Sequence, residues 1–277
     1  MQVSSSYIKN HPIGIDNDVN IFKLTNRFEN SKPIFTLVVP VLQEDKILAK
    51  HLSKFSLGLR EEYNIELIVS DGGSTDKSVE IAKIYADTVV VHNKNNRQTI
   101  SEGRNNGAYL AKSDVLVFLN GDTTPVSIIE FIDNIIKFSE KYKSFSKYDA
   151  LACFVSSFPQ EEKLQDKIFN LMFNNYVRFL NFINIGMGRG ECQIVRKEIF
   201  EKVGGFNTAI VAGEDFDLFR RVAKIAKIKV DKKVHVYESP RRFRKYGYIK
   251  TIAYWMANAI FVMLFNKSLS KEWEAVR

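Results

Sequence analysis

The chain has 277 residues, of which 45% are hydrophobic and 26% charged, a composition typical of a globular protein with a large core. Its net charge of +8 favours anionic partners such as nucleotides, phosphorylated lipids, membrane surfaces or nucleic acid, although a lysine-rich surface alone would give the same value. Two cysteines, Cys153 and Cys192, are too few for a disulfide framework and lack zinc-ligand spacing, which favours a reducing compartment.

Residues 1–33 are polar and irregular, and we expect an N-terminal arm there. Strands are then predicted over 34–40, 65–70, 88–92 and 115–119, each a continuous apolar run followed by a helical pattern. This alternation predicts a parallel sheet covered by helices on both faces, in which ligands bind at the carboxyl ends of the strands. The segments 40–44, 71–76 and 120–122 are therefore expected to lie together.

The second half of the chain is less regular. We predict a helix over 126–143, a strand over 150–158, and a helix over 165–184 whose polar residues form a narrow stripe beside a broad, Phe-rich face. The best candidate for a membrane span, 252–265, is shorter than the roughly 20 residues that cross a bilayer. Because the amino terminus also lacks a signal-peptide pattern, we expect a cytoplasmic protein.

Two strand-end motifs carry candidate ligands. In "DGGSTD" (71–76), glycines would let the backbone approach a nucleotide and Asp71 would accept a hydrogen bond, but a capping turn with Ser74 or Thr75 as N-cap explains the motif equally well. In "NGD" (120–122), Asp122 offers the hard oxygen that Mg²⁺ or Mn²⁺ prefers. Taken alone, that tripeptide favours a plain turn.

Two further segments carry charge. In "GEDFDLFRR" (213–221), Glu214 and Asp215 begin a helix, where they either complement the helix dipole or supply a general base, while Asp217 is predicted to form a salt bridge with an arginine one turn later. The segment 95–108 places Arg97 and Arg104 among Asn and Gly, which suits diphosphate binding or a solvated loop.

The order of these motifs resembles the inverting glycosyltransferases of family 2, over residues 34–245. The resemblance implies an α/β protein of the GT-A fold, with a mostly parallel central sheet flanked by helices. It also implies a nucleotide-binding half over 34–124, an acceptor half over 125–245, and a C-terminal amphipathic helical extension over 246–277.

The resemblance also implies roles for individual residues. The residues expected to bind the nucleotide sugar are Pro40, Glu44, Asp71, Arg97, Arg104, Asn105, Asn120 and Gly121. Asp122 would hold a divalent metal, Mg²⁺ or Mn²⁺, against the donor diphosphate, and Asp215 would be the catalytic base with Glu214 beside it. Candidates for acceptor or phosphate binding are Glu191, Arg241 and Arg242.

The sequence departs from the family pattern at several positions. Asn120 replaces the first acid of the Asp-X-Asp element, Gly72 stands where many relatives have a second Asp, and Gln43 replaces a frequent Asn. The later Gln-x-x-Arg-Trp element is not visible, so the chain resembles small, non-processive members. The implied activity is metal-dependent, inverting transfer of a sugar from a UDP- or GDP-sugar to an acceptor hydroxyl or a lipid phosphate.

Other functions are weighed against this one. A sugar-phosphate nucleotidyltransferase usually has a glycine-rich basic loop after its first strand, whereas "VPVLQEDK" has no glycine. Acids at every strand end argue against nucleic acid as a partner. A catalytically weak nucleotide-sugar-binding protein stays open because of Asn120.

The apolar faces of two predicted helical segments, 165–184 and 246–265, could contact a membrane, the protein core or a second subunit. With the basic cluster at 241–250 they would suit peripheral contact with the inner face of the cell membrane, and hence a lipid-linked acceptor. Packing on the core, or a homodimer contact, is the favoured alternative.

Overall fold

The computed structural model describes residues 18–93, 98–142, 144–265 and 267–269, so Arg97 lies outside the described residues. The strands are β1 (Val19–Lys23), β2 (Phe35–Val41), β3 (Ile65–Asp71), β4 (Thr88–His92), β5 (Val115–Leu119), β6 (Thr124–Pro125), β7 (Ala150–Ser157), β8 (Cys192–Arg196) and β9 (Ile228–Glu238). The helices are α1 (Asp45–Leu52), α2 (Leu57–Glu62), α3 (Ser78–Tyr85), α4 (Ile100–Leu110), α5 (Ile128–Ser139), α6 (Leu164–Phe182), α7 (Lys197–Lys202), α8 (Glu214–Ala223), α9 (Arg241–Tyr246) and α10 (Tyr248–Phe265).

The strands form one sheet in the order β1-β4-β3-β2-β5-β8-β7-β9-β6. Strands β4, β3, β2 and β5 are parallel, whereas β8 runs antiparallel to both of its neighbours, β5 and β7. The predicted α/β class with a central sheet flanked by helices is confirmed. Parallel pairing dominates only in the half that was expected to bind the nucleotide.

Strand β1 lies within the region expected to be an arm. Val19–Lys23 pairs antiparallel with Thr88–His92 of β4 and covers that edge of the parallel strands. Val19 and Ile21 pack against the core, while the intervening Asn20 is exposed. A single short alternation among polar residues gave no clear strand pattern in the sequence.

Alternating side chains of the central strands feed two cores, one on each face of the sheet. Leu37, Val39 and Val41 of β2 point into one core, and Val38 points into the other. This is the two-residue period of a strand buried on both faces, and it explains why the predicted strands were continuous apolar runs.

Helix α4 packs unusually close to the sheet. A Cβ atom built on Gly107 would lie 2.3 Å from Val38 Cγ1 on β2, so only glycine permits this approach. The helix begins with a capping box, in which Thr99 Oγ1 accepts from the Glu102 backbone N–H and Glu102 accepts from the Thr99 N–H. Both features fix the position of Arg104, which lies between them.

The predicted N-cap at Ser74 or Thr75 is wrong, because α3 begins only at Ser78. Asp71 Oδ1 accepts from the backbone N–H groups of Gly73 and Ser74, at 2.9 and 2.7 Å. Asp76 Oδ1 accepts from the Ser78 N–H at 2.9 Å. The acids of "DGGSTD" therefore hold an extended turn before the helix.

Helix α6 turns its polar residues toward the protein and its apolar residues toward solvent, which is the reverse of an ordinary surface helix. Its polar stripe faces β7: the Asn174 side chain pairs with both the N–H and the C=O of Val155, at 3.1 and 2.9 Å. Val155 lies beyond Ala152, the last β7 residue that pairs with β8, so its backbone groups need such partners. The outer face of α6 is consequently apolar and exposed, with Leu171 62% and Phe182 86% accessible.

Helix α10 packs beside α8 and α9 and is also apolar on its outer side. Ile249, at 85% accessible, and Leu264 are exposed there. By length and composition, α10 is the single helix of the described residues that could cross a membrane, with mean hydropathy 1.4 and 17% of its residues buried. Core helices and signal sequences can meet the same two criteria, so these assign no membrane topology.

Candidate active site

The carboxyl ends of β2, β3 and β5 bring the first candidate residues to one edge of the sheet. Pro40 of β2 is in register with Ser70 of β3, and Asp71 follows opposite Val41. Strand β5 ends at Leu119, directly before Asn120, Gly121 and Asp122. The predicted convergence of these strand ends is therefore present in the fold.

Asp71 is buried, and its two carboxylate oxygens differ in their hydrogen bonding. Oδ1 accepts the two turn N–H groups described above, whereas Oδ2 has no hydrogen-bond partner within the described part of the chain. Burial raises the pKa of the Asp71 carboxyl, and the hydrogen bonds from Ser74 and Gly73 oppose that rise. A ligand N–H or O–H could satisfy the buried Oδ2 atom.

The loop after β2 is tied to the loop after β3. The Gln43 N–H donates to Ser74 Oγ, and the Glu44 N–H donates to Ser78 Oγ, both at 2.8 Å. Glu44 itself occupies the N-cap position of α1. These bonds hold the two loops at a fixed separation on either side of Asp71.

Arg104 is fully buried and already bound to protein groups. Its Nη1 donates to Glu214 Oε1 at 2.9 Å, and its Nη2 donates to Asn120 Oδ1 at 2.9 Å and to the Gly190 carbonyl at 2.7 Å. The sequence suggested a guanidinium free to meet a diphosphate. In the fold, the same group joins α4 to the end of β5 and to the start of α8.

Asn105 is likewise committed to the protein. Its side-chain amide donates to the Phe206 carbonyl at 2.8 Å and accepts from the Phe206 N–H at 2.9 Å. Both ends of the amide are thus satisfied, and α4 is fastened to the loop before α8. A direct contact with a nucleotide would require these two bonds to break.

Asp122 is paired with a residue that was expected to bind acceptor or phosphate. Its Oδ2 lies 2.7 Å from Arg241 Nη2 on α9, and about a third of each side chain is accessible. Arg242 lies beside Arg241 and is half-buried. A Cβ built on Gly121 would make ordinary van der Waals contacts, 3.5 Å from Val41 Cγ2 and 3.6 Å from the Pro40 carbonyl.

The side-chain oxygens at this edge of the sheet can be compared with the ligands that a divalent cation requires. Within the ranges that the structure describes, no cluster of three or more His, Cys, Asp and Glu side chains is placed to hold a metal. Mg²⁺ in phosphate-transfer sites often takes only one or two carboxylates, with substrate phosphates completing its ligands. Asp122 fits that smaller set once Arg241 releases Oδ2, and Asn120 Oδ1 could join it only through the lone pair that Arg104 Nη2 does not use.

Asp215 stands at the amino end of α8 with a strongly perturbed acidity. Burial, and then the neighbouring Glu214 carboxylate, raise the pKa of Asp215 to about 7. Gln193 of β8 donates to the Asp215 carbonyl at 3.1 Å, and Gly190 approaches so closely that a Cβ there would lie 3.2 Å from Asp215 Oδ2. The Phe216 N–H donates to Asp215 Oδ1 at 2.8 Å, which holds the carboxyl group in place, and this group can exchange a proton near neutral pH.

A buried cluster around Glu191 was not anticipated. Arg189 is fully buried and donates to Glu191 Oε1 at 3.0 Å and to Glu238 Oε1 at 2.6 Å. Burial opposes ionisation of Glu191, but the Arg189 charge overrides it and lowers the pKa of Glu191 to about 2. Burial and the Glu191 charge raise the pKa of Glu238 well above its usual value. In the sequence, the glycines around Arg189 in "GMGRGEC" are the one local feature that marks this cluster. Its third member, Glu238, lies 49 positions after Arg189 and has no local pattern that connects the two.

A cavity of about 510 Å³ opens beside Asp215. Its charged and amide side chains are Arg104, Asn120, Arg189, Glu191, Glu214, Asp215 and Asn258. The remaining wall is formed mainly by aromatic and aliphatic side chains of α6 and α10, including Phe173 and Trp255, whose rings lie 5.6 Å apart. No local sequence pattern indicates this cavity, because it depends on how α10 returns over α6.

Asn258 holds α10 against the loop that precedes α8. Its amide donates to the Ala212 carbonyl at 2.7 Å and accepts from the Leu269 N–H at 2.9 Å. Gly213, with φ of 83°, adopts the left-handed conformation next to this contact, and a Cβ there would lie 2.7 Å from Asn258 Nδ2. The end of α8 that carries Asp215 is therefore coupled to the position of α10.

Comparison with known proteins gives partial relatives and a shared fold. A PGL/p-HBAD biosynthesis glycosyltransferase of Mycobacterium bovis is 31% identical over 94 residues, which are 32% of this chain and 36% of the relative. A validoxylamine A glucosyltransferase of Streptomyces hygroscopicus subsp. limoneus is 26% identical over 107 residues, which are 38% of this chain and 23% of the relative. The matched region thus spans about a third or less of each curated relative.

Among the solved structures that share the fold are two with a bound nucleotide sugar. The mannosyltransferase PcManGT from Pyrobaculum calidifontis, in complex with GDP-Man and Mn²⁺, superposes with a TM-score of 0.58 at 16% identity, covering 81% of this chain and 64% of that one. S. aureus TarS 1-349 in complex with UDP-GlcNAc gives 0.54 at 16% identity, covering 81% and 66%.

The model of glycosyl transferase family 2 matches residues 36–204, more than half of the chain. The match runs from the second residue of β2 to the residues just after α7, and it includes the strand ends that carry Asp71 and Asp122. The chain therefore belongs to glycosyl transferase family 2.

Proposed function

We propose that the protein transfers a sugar from a nucleoside-diphosphate sugar to an acceptor, with inversion at the anomeric carbon and with a divalent metal. The observation that carries the proposal is the Asp215 carboxyl, with a pKa of about 7, in the wall of a cavity that Asn120, two residues before Asp122, also lines. Family membership and the names of the relatives support the same activity.

The donor nucleotide would bind over the carboxyl ends of β2 and β3. Its base or ribose would donate to Asp71 Oδ2, which is buried and lacks a protein partner in the described residues. Pro40 and Glu44 would flank the nucleoside, because their loop is fixed to the turn after Asp71. A UDP- or GDP-sugar is proposed because two donor-bound structures that share the fold hold UDP-GlcNAc and GDP-Man.

Asp122 and Asn120 would hold the metal together with the donor diphosphate. When bound, Mg²⁺ or Mn²⁺ would stabilise the negative charge that develops on the leaving nucleoside diphosphate. Arg241 would have to release Asp122 Oδ2 first, and its guanidinium would then be available to a phosphate or acceptor group. Arg104 would act as a positioning residue that fixes Asn120 and Glu214 together.

Asp215 would act as the general base in a single displacement. The acceptor oxygen would attack the anomeric carbon as its proton passes to the Asp215 carboxylate, while the bond from that carbon to the diphosphate oxygen breaks with its electron pair. Attack on the face opposite the leaving group inverts the configuration. On this proposal, residues 34–124 serve the donor and residues 125–245 serve the acceptor.

The exposed faces of α6 and α10 would make peripheral contact with an anionic membrane surface. Phe182 and Ile249 are exposed apolar side chains, and Lys245 of α9 and Lys250 of α10 are exposed cations near them in sequence. Flotation with vesicles containing anionic phospholipid should recover the protein at low salt. A stable homodimer that stays unbound to vesicles would show instead that these faces pair with each other.

The test of the activity is nucleoside-diphosphate release from a panel of UDP- and GDP-sugars with Mg²⁺ or Mn²⁺. We expect turnover of at least one donor, lost with a chelator and reduced about 10²-fold or more in Asp122→Ala. Binding without turnover would favour a catalytically weak binding protein. Pyrophosphate release from a nucleoside triphosphate and a sugar phosphate would favour a nucleotidyltransferase.

A further inference from the structure

We propose that the cavity between α6 and α10 binds the hydrocarbon part of an amphiphilic acceptor, whose hydroxyl group lies at Asp215. The inference rests on the proposed glycosyl transfer and specifies its second substrate. It is carried by the division of the cavity wall into a large apolar part and a small polar part that contains the proposed base.

The apolar part of the wall comes from two helices that face each other. Phe169, Phe173 and Leu180 of α6 lie opposite Ile252 and Trp255 of α10. The volume of about 510 Å³ falls within the roughly 300–1,000 Å³ typical of small-molecule sites. A cavity of this size is large enough to hold a substantial chain rather than a single methyl group.

The chemistry of this wall selects a hydrocarbon rather than an oligosaccharide. Hydroxyl groups of a sugar chain would lose hydration against Phe and Met side chains without gaining hydrogen bonds. An alkyl or isoprenoid chain there gains from each methylene removed from water, by about 0.8 kcal/mol or roughly fourfold in affinity. Met172 and Met256 in the wall can adapt to chains of different shape.

The polar part of the wall favours a hydroxyl group over a phosphate. Both arginines of the wall are committed, Arg104 to Glu214 and Arg189 to Glu191. Asp215 adds a further acid, so the described polar groups of the wall offer a phosphate no unpaired cation. A neutral hydroxyl can instead donate to the Asp215 carboxylate.

Access to the cavity suits a substrate that arrives from an apolar phase. Tyr176 and Phe179 of α6, and Tyr254 and Met256 of α10, are exposed at or beside the cavity wall. A chain leaving a lipid surface could enter between the helices with little exposure to water. The bond between Asn258 and Ala212 holds α10 over the cavity and keeps its polar end next to α8.

The test is direct binding of alkyl probes by isothermal titration, below their critical micelle concentrations and without a donor. We expect octyl β-glucoside to bind at least 100-fold more tightly than methyl β-glucoside. Full burial of the seven added methylenes, at roughly fourfold each, would give on the order of 10⁴-fold, so burial of about half of them is sufficient. Octyl phosphate should bind more weakly than octyl β-glucoside. Tighter binding of octyl phosphate would overturn the assignment of a hydroxyl group.

Matched variants on α10 separate the cavity from the outer surface. Ala259 lies in the cavity wall, whereas Ala257 is exposed and outside it. Ala259→Phe should weaken octyl β-glucoside binding at least tenfold, and Ala257→Phe should change it less than twofold. Equal effects in the two variants, or equal binding of the methyl and octyl probes by the wild type, would overturn the proposal.

The proposed function is tested separately. Nucleoside-diphosphate release in the absence of any acceptor reports the donor site alone. If the donor is turned over but octyl β-glucoside is glycosylated no better than methyl β-glucoside, the acceptor inference fails while the transferase activity stands. If alkyl binding follows the predictions but no donor is turned over, the transferase proposal fails instead.

Discussion

Replacing Asp215 by Asn removes the one carboxyl group to which we assign proton transfer. The shape of the side chain is preserved, so the change acts through charge and protonation. In the wild type, a pKa of about 7 means that the carboxylate is half formed near neutral pH. Transfer activity should therefore rise about tenfold per pH unit below 7 and level off above it, and Asp215→Asn should lose 10²- to 10⁴-fold at pH 8.

The same substitution should stabilise the fold, in a pH-dependent way. The pKa of Asp215 is raised from 3.8 to about 7, so the native chain retains a proton that the unfolded chain releases between these values. The wild type therefore loses stability as the pH rises through this window, at up to about 1.4 kcal/mol per pH unit. Relative to the wild type, Asp215→Asn should gain roughly 2 kcal/mol in unfolding free energy between pH 5 and pH 7.

Urea denaturation at several pH values measures the difference in unfolding free energy between Asp215→Asn and the wild type. A time course of nucleoside-diphosphate release measures the activity. The matched control is Glu62→Gln, which removes an exposed acid at the end of α2 and should leave both pH profiles unchanged. If Asp215→Asn and the wild type show parallel stability profiles from pH 5 to pH 8, the burial and Glu214 repulsion that we assign to Asp215 are refuted.

Three further predictions follow from other parts of the fold. Asp122→Asn should reduce metal-dependent nucleoside-diphosphate release by about 10²-fold, and unchanged metal dependence in a titration with Mn²⁺ would remove Asp122 from the metal site. Gly107→Ala should destabilise the protein by about 1–3 kcal/mol in urea denaturation, because the new Cβ would lie 2.3 Å from Val38 Cγ1. The double variant Gly107→Ala/Val38→Ala should recover part of that loss. Asn174→Leu should lower the free energy of unfolding by about 2–4 kcal/mol, because it leaves backbone groups of β7 unpaired. Asn175→Leu, on the exposed face of α6, should change it by no more than about 0.5 kcal/mol. Similar losses in both variants would contradict the inward orientation of the polar stripe.

The parallel half of the sheet could be predicted from the sequence because its strands are buried on both faces. Continuous apolar runs placed β2 to β5 within one or two residues of their observed bounds. Once those strands were placed, the rule that parallel strands end at one edge brought Asp71 and Asp122 together. The predicted salt bridge of Asp217 is confirmed as well, with Arg221 at 2.6 Å, because it depends only on helical spacing.

The remaining features depend on contacts between distant parts of the chain. The polar stripe of α6 faces inward because β7 extends beyond its pairing with β8, which no local pattern can reveal. Arg104 looked free in the sequence, yet its partners Glu214 and Asn120 lie 110 and 16 positions away. The cavity likewise exists only because α10 returns over α6.

The most direct test of the account follows the anomeric proton of the donor by NMR in the presence of the protein, Mg²⁺ and octyl β-glucoside. The account predicts that the nucleotide-sugar signal is replaced by that of a new glycoside with the opposite anomeric configuration. Retention of configuration would contradict the single displacement by Asp215. No consumption of any UDP- or GDP-sugar would contradict the transferase activity itself.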